Sequence, residues 1–489
     1  MIVHPHVRRA LLVVGGLAVT IATGCAPVGP AYKRPDLAPP AAHPGAPAGL
    51  AAETLADVPW WQVFDDPALQ GLVRDAIANN PDLRLAVARV SEARALAGVA
   101  KSFLYPEVNL DAGYVGNQAS RNSQPRGAFS EGDRTYNNTS VAANLAWEID
   151  LFGRLRRQNE AAFNRYLATE EGRRAVLVTL VGDVASAYFL LREFDLQLEV
   201  ARRTLVLNDQ TVAYYVDRLQ GGVSNRLEVD QSRANRALTA ASIPEIERQI
   251  ALVEHAISVL AGRPPGAIAR GTTLTEQVLP PSIPVGVPAA LLERRPDVLE
   301  AERQLIAANA DIGAAKALFY PRISLTGSLG NVSGDLADFM KGDSIIWSFG
   351  AGLFQPLFNG GRIRRNLEAA EARFEQAIAL YQRAALNAYR EVADAIVTIE
   401  KLAQIRAEQE VGVAALRDAS ELSRLRYETG FSTYLEVLIA DQQLFRLELQ
   451  LASTRGEQLR VLAQLYRALG GGWQAEQAVS SPSPTPPPD

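Results

Sequence analysis

Residues 141–154 read VAANLAWEIDLFGR, and the spacing of the apolar positions changes within this stretch. Val141, Ala143, Leu145, Trp147, Ile149 and Leu151 fall on one face and Ser140, Asn144, Glu148 and Asp150 on the other, the period-2 pattern of a strand. After Leu151-Phe152-Gly153-Arg154 the period becomes helical. Leu177, Leu180, Val181, Val184, Ala187, Tyr188 and Leu191 recur at three and four, and no proline intervenes before Gln220. A helix of roughly 65 residues is ~100 Å long at 1.5 Å per residue, longer than a compact domain is wide.

The same sentence is written twice in the chain. Pro81-Asp82, Lys101 and Tyr105-Pro106 recur 215 residues later as Pro296-Asp297, Lys316 and Tyr320-Pro321, and the run from Gly222 to Val229 recurs 208 later from Gly430 to Val437. Each copy reads as helix, strand pair, very long helix, turn and long helix. In the first copy Val108, Leu110, Ala112 and Tyr114 alternate with Asn109, Asp111 and Gly113. In the second, Ile323, Leu325 and Leu329 alternate with small or polar residues, and Trp347, Phe349, Ala351, Leu353 and Leu357 alternate with Ser348, Gly350 and Gly352. The polar, Gly-rich stretches 116–138 and 331–344 read as loops. From Leu357-Phe358-Asn359-Gly360-Gly361-Arg362 a second long helix carries Ile378, Tyr381, Ala385, Ala388, Val392, Ala395, Ile399 and Leu402 in heptad spacing as far as Thr429. Gly221-Gly222 and Gly430 suit helix C-caps, and Ser224 and Ser432, with Glu228 and Glu436 in the next turn, are expected as N-caps of the returning helices.

Composition excludes several functions. Net charge is −5 (49 Lys+Arg against 54 Asp+Glu), which gives no basic field for nucleic acid. Four His and one Cys leave little to build a metal site, and His4, His6 and Cys25 all sit at the N-terminus. No phosphate-binding loop, nucleophile elbow or zinc-protease helix occurs, so no catalytic residue, metal or cofactor is expected.

Arg8 and Arg9 followed by the apolar run Ala10–Thr23 match a secretory signal, and the run is too short to span a bilayer. It ends in Ala22-Thr23-Gly24-Cys25, similar to a bacterial lipobox, which makes Cys25 the expected lipid-bearing residue. The division read from the sequence is a signal at 1–24, a Pro/Ala/Gly-rich tether at 25–59 expected to run extended and unpacked, a first repeat at 60–262, a connector at 263–290, a second repeat at 291–473 and a disordered tail at 474–489.

Amphipathic strands bearing Tyr114, Trp147 and Trp347 suit a barrel that meets a bilayer interface. Four strands cannot close a barrel, which needs about eight, and lipid tolerates no unpaired backbone polar group. The chain therefore requires copies of itself: two would give a filled barrel, three a barrel with a lumen.

Cys25–Pro35 (CAPVGPAYKRP), Trp60-Trp61, Phe64-Asp65-Asp66-Pro67-Ala68-Leu69, Leu292–Asp297 (LERRPD), Tyr320-Pro321 and Leu465–Trp473 (LYRALGGGW) resemble the TolC-like outer-membrane efflux family, in its lipoprotein branch of the NodT and OprM type. The resemblance implies a mostly α protein with membrane β: a homotrimer whose twelve-stranded outer-membrane barrel, four strands per chain, continues into a long periplasmic helical barrel. It further implies a periplasmic adaptor and an inner-membrane, proton-driven RND transporter as partners beside the outer-membrane lipid. The narrow hairpin ends, Gly221, Gly222, Val223, Ser224 and Gly430, Phe431, Ser432, Thr433, are the expected docking tips.

The family pattern places a Leu, and an acidic residue four positions later, in rings that close the periplasmic mouth. Leu435 matches the first, but the second position is Ile439, and the nearest carboxylates are Glu436 and Asp441. Leu435 and Ile439 share a helix face, whereas Asp441 lies about 120° away in azimuth. The expected function is a passive efflux duct for drugs or small toxicants. The alternatives are a duct for metal ions or secreted peptides and, from another class, a lipid-anchored coiled-coil scaffold without a pore. Replacing Cys25→Ser is expected to abolish N-terminal acylation; a fatty-acylated N-terminal peptide in the mass spectrum of that variant would refute the assignment.

Overall fold

The computed structural model describes residues 27–40, 42, 55, 65–118, 120, 135–277 and 285–471. Cys25, the signal at 1–24, Trp60, Trp61, Phe64, Trp473 and the tail at 474–489 lie outside the described residues. The first copy contributes α1 (Pro67–Asn79), α2 (Pro81–Ser102), β1 (Glu107–Gln118), β2 (Thr135–Ile149), α3 (Arg154–Gln220) and α4 (Arg226–Leu260). The second contributes α5 (Pro288–Arg294), α6 (Pro296–Ala317), β3 (Arg322–Ser333), β4 (Ile345–Phe354), α7 (Arg362–Glu428) and α8 (Tyr434–Ala468). The copies match in length: α2 and α6 have 22 residues each, α3 and α7 have 67, and α4 and α8 have 35.

The strands reach further than the sequence suggests. β1 runs to Gln118, β2 begins at Thr135 and β3 continues to Ser333, into stretches read as loops. Polar residues such as Asn117 and Asn137 extend the ladder because their backbones find partners, whatever their side chains. Two short 3₁₀ turns, Leu336–Asp338 and Gly342–Ser344, connect β3 to β4.

The four strands form one antiparallel sheet in the order β1-β2-β3-β4. Its register gathers the apolar sets onto one face: Leu110 faces Ala143, Trp147 faces Leu325 and Leu329 faces Trp347. Asn109, Asn144, Ser328 and Ser348 line up across the other face. The apolar face is open, with Leu110, Tyr114, Trp347, Phe349 and Leu353 exposed. β1 and β4 are the two edges, each with one side unpaired within the chain.

Two compact units organise the chain, and each draws on both repeats. The sheet belongs to the unit containing Val90–Thr169 and Ala301–Tyr381. There Ala161, Ala307 and Ala310 are buried together, small side chains that let α3 and α6 approach closely. Residues 27–36 have no helix or strand, as expected of a tether, but they are packed. Val28 N–H donates to the Phe152 carbonyl at 3.1 Å, Arg34 grips Glu302 with contacts of 2.5 and 2.7 Å, and Gly29 lies so close to Gly313 that a Cβ would sit 2.5 Å from its Cα. Composition signals an irregular backbone and does not reveal these distant partners.

The second unit holds the described parts of Leu37–Arg89, Glu170–Glu300 and Gln382–Asp489. The helical stripes read from the sequence are its core: Val184, Tyr188 and Leu191 on α3 and Ala385, Ala388 and Val392 on α7 are buried. Asp66 is fully buried and caps α1, accepting from the Ala68 and Leu69 amides at 2.9 and 3.3 Å. Its other oxygen accepts from the Tyr188 hydroxyl at 2.9 Å, the Thr272 amide at 3.1 Å and Gln277 Nε2 at 3.0 Å. One carboxylate thus joins α1, the middle of α3 and the connector after α4. Replacing Asp66→Ala removes a cap and leaves buried donors unpaired, a cost of about 2–4 kcal/mol. A clearly lowered thermal midpoint by circular dichroism is expected; an unchanged midpoint would contradict this role.

Candidate functional site

The hairpin ends are built by backbone chemistry before any side chain matters. Gly222 and Gly430 take φ of +73° and +81°, the left-handed conformation that glycine adopts without steric cost. Val223 N–H donates to the Arg218 carbonyl at 2.9 Å and Gly222 N–H to the Leu219 carbonyl at 3.1 Å; Phe431 and Gly430 repeat the pair with Arg426 and Tyr427 at 2.8 and 3.0 Å. Both long helices therefore stop in the same six-to-one, five-to-two motif. Each turn is short, and each returning helix starts one residue later than expected. Asn225, not Ser224, caps α4: its side chain accepts from the Glu228 amide at 3.0 Å while Glu228 reaches back to the Asn225 amide. The capping box requires the acid three residues after the cap, and only Asn225 satisfies that spacing. Ser224 instead donates its hydroxyl to Glu228. In the second hairpin the cap position is Thr433, without a side-chain bond, and the buried Ser432 hydroxyl has no partner.

Just inside the turns, three tyrosines that sequence reasoning missed lock the two hairpins together. Tyr215 of α3 packs edge-on against Tyr434 of α8 and Tyr427 of α7, with ring centroids 4.4 and 5.4 Å away. Val229 and Val437 complete the buried cluster. Arg218 lies over Tyr214 and Tyr427, 5.5 and 5.6 Å from their centroids, and donates to the Tyr214 hydroxyl at 2.9 Å. The repeat conceals the cluster, because the residues equivalent to Tyr215, Tyr427 and Tyr434 in the other copy are Ser423, Leu219 and Arg226.

Leu435 and Ile439 stand on the exposed side of α8, 52% and 46% accessible, while Tyr434, Val437 and Ala440 are buried on its opposite side. Asp441 is turned toward α7, where its carboxylate accepts from the Ser420 hydroxyl and lies 3.5 Å from Arg424. Seven residues on, Glu448 is held by Arg417 of α7 and Arg203 of α3, each at 2.9 Å. These acids border an open cleft of about 600 Å3 between α3, α7 and α8. The structure thus brings Leu435 and Ile439 together and separates Asp441 from them. At the tips Val223 and Phe431 are exposed beside their glycines.

No reactive constellation accompanies this geometry. Among the described residues no group of three or more His, Cys, Asp or Glu is placed to hold a metal ion. Burial, reinforced by Asp441 and Tyr427, pushes the Tyr434 phenol up to about 12, and burial also raises Tyr215 and Tyr427.

Residues 72–263 and 287–471 match the outer membrane efflux protein family. The chain is 37% identical over 418 residues to the solvent efflux pump outer membrane protein SrpC of Pseudomonas putida, covering 85% of this chain and 88% of that protein. It is 35% identical over 455 residues to the cation efflux system protein CusC of Escherichia coli O6:H1, covering 92% and 96%. Among solved structures the outer-membrane channel OprN superposes with a TM-score of 0.84 at 31% identity, over 91% of this chain and 99% of that one.

The raised phenol fixes the sign of a pH effect. Tyr434 holds its proton more tightly folded than unfolded, so its contribution is complete below pH ~10 and is lost as pH rises toward 12. Protection of the hairpin ends from proteolysis is expected to stay constant between about pH 5 and 9 and to fall above about pH 10; loss of protection on acidification would contradict the assignment.

Proposed function

This chain belongs to the outer membrane efflux protein family, and from that premise we propose that three copies close one barrel and form the passive exit duct of a tripartite efflux pump. It is an outer-membrane efflux channel and not an enzyme. The observation that carries the trimeric reading is the sheet: four strands, one exposed apolar face, one polar face and two edges unpaired within the chain. Three such sheets supply twelve strands, enough for a lumen, and leave no edge in hydrocarbon.

The partners follow from what the chain lacks and what it exposes. It carries no nucleotide-binding loop, so energy is supplied by an inner-membrane RND transporter through a periplasmic adaptor. The adaptor docks at Gly221–Ser224 and Gly430–Thr433, where short turns present Val223 and Phe431. Cys25 carries the lipid that adds an anchor to the barrel. The chain divides as read from the sequence, with the two repeats at 60–262 and 291–473 between tether, connector and tail. The cargo class is small organic toxicants. Four His and two Met in 489 residues offer few soft ligands to a metal ion, although SrpC and CusC, named for solvent and for cation efflux, are similar to this chain to nearly the same degree.

The gate is apolar. Leu435 and Ile439 form rings that close the periplasmic mouth by dewetting, while Asp441 is engaged with Ser420 and Arg424 and braces α8 against α7. A partner opens the mouth only by binding the open arrangement better than the closed one. Leu435→Ser combined with Ile439→Ser is expected to raise the single-channel conductance of the isolated trimer, and closure of the parent channel is expected to be indifferent to pH between about 5 and 7. An unchanged conductance in that variant, together with opening by Asp441→Asn, would make the gate electrostatic and refute the reading; absence of any conductance from the purified parent chain would refute the duct itself.

A further inference from the structure

The apolar face of the sheet is shorter than the layer it has to cross. Its outward positions run from Ile323 to Leu329 on β3 and from Ile345 to Leu353 on β4. At ~3.4 Å per residue and a tilt of ~40°, these stretches cover ~15 and ~21 Å of membrane depth, against the ~25 Å apolar band of an outer-membrane barrel. The deficit on β3 falls at the end remote from the long helices. There Asn331 lies between Val141 of β2 and Ile345 of β4 in an otherwise apolar row, and Ser333 follows on the same face.

Neither polar side chain is left to face outward alone. Asn331 Nδ2 donates to the Phe339 carbonyl at 2.8 Å. The Ser333 hydroxyl donates to the Asp335 carbonyl at 2.7 Å and accepts from the Asp335 amide at 3.2 Å. Alternate residues of a strand point to opposite faces, so the bond from Asn331 draws the β3–β4 loop onto the apolar face and away from the polar one.

The loop is also braced internally. Asp335 accepts from the Ala337 amide at 3.0 Å and caps the turn Leu336–Asp338. Asp338 pairs with Lys341, and the Ser344 hydroxyl donates to the Asp338 carbonyl at 2.8 Å. Two large apolar side chains nevertheless stay uncovered in the chain: Leu336 and Met340 are 74% and 86% exposed, more than the outward strand residue Leu329 at 62%.

We infer that this loop is a membrane foot, in which Leu336 and Met340 enter the acyl chains of the outer leaflet and lengthen the apolar band above β3 and β4. The inference rests on the reading that the apolar face of the sheet meets lipid, and it adds the loop to that surface. Three observations fit lipid as the occupant. The patch is continuous with the apolar face through Leu329 and Ile345. The Asn331 amide finds its partner inside the protein, as hydrocarbon requires. The Asp338 charge is matched by Lys341, and the two exposed side chains gain by leaving water.

Cysteine variants labelled with a fluorophore locate the loop. Met340→Cys and Leu336→Cys, reconstituted in phosphatidylcholine vesicles that carry a nitroxide on the acyl chain, are each expected to be quenched several-fold more than Ser348→Cys on the polar face. Leu329→Cys on the outward face reports on the premise, and the parent chain, with its own Cys25, sets the labelling background. If Leu329→Cys is quenched while either loop position is quenched no more than Ser348→Cys, the loop is not in lipid and the inference is overturned with the sheet assignment intact. If Leu329→Cys itself escapes the nitroxide, the lipid-facing assignment of the sheet fails, and the inference with it. A raised single-channel conductance in Met340→Asp would place the loop over the exit and likewise overturn the inference.

Discussion

A backbone N–H or C=O left without a partner in hydrocarbon costs several kcal/mol, and β1 and β4 each present a row of them along an edge. The sheet is arranged around that constraint. The sheet is one layer, with its apolar side chains on one face and its polar side chains on the other. Such a layer is stable only where one face meets lipid, the other meets water and both edges are paired. A single chain cannot provide this, and the proposed closure by copies can.

The helices answer a different requirement. The sixty-seven-residue helices are held by stripes of buried apolar residues along their length. Ala161 of α3 is buried with Ala307 and Ala310 of α6, and Ala385, Ala388 and Val392 are buried along α7. At isolated points polar groups fix the register of those rods. Asp66 joins three segments through five hydrogen bonds, and Glu193 pairs with Arg460 against Gly456, where a Cβ would lie 2.4 Å from the carboxylate. Glycine at 456 is therefore a condition of the contact.

At the hairpin ends the two copies stop being equivalent. Their turns share the same backbone hydrogen bonds, but the tyrosine cluster takes one residue from α3, one from α7 and one from α8. An aromatic contact of this kind is neutral at physiological pH, since burial raises all three phenols. Asp441, engaged with α7, belongs to the bracing of the second hairpin, while the neighbouring Leu435 and Ile439 are left free on the outer side of α8.

The repeat, the length of the two longest helices, the strand faces and the glycine turns were legible in the sequence, because each depends on local periodicity or on the φ that only glycine takes cheaply. The cap of α4 was misplaced by one residue: the reading put it at Ser224, while the three-residue spacing to Glu228 belongs to Asn225. Other features are invisible in one dimension. The full extent of β1 and β2 depends on a partner backbone and not on side-chain alternation. The tether's grip on Glu302 and Gly313, the donors around Asp66 and the meeting of Tyr215 with Tyr427 and Tyr434 join residues as much as 211 to 284 positions apart. Sequence by itself determined the elements and their repetition, since these follow from interactions within a few residues. Tertiary structure alone decided which polar and aromatic groups complete one another, since burial makes a partner obligatory without specifying, from the sequence, which partner it is.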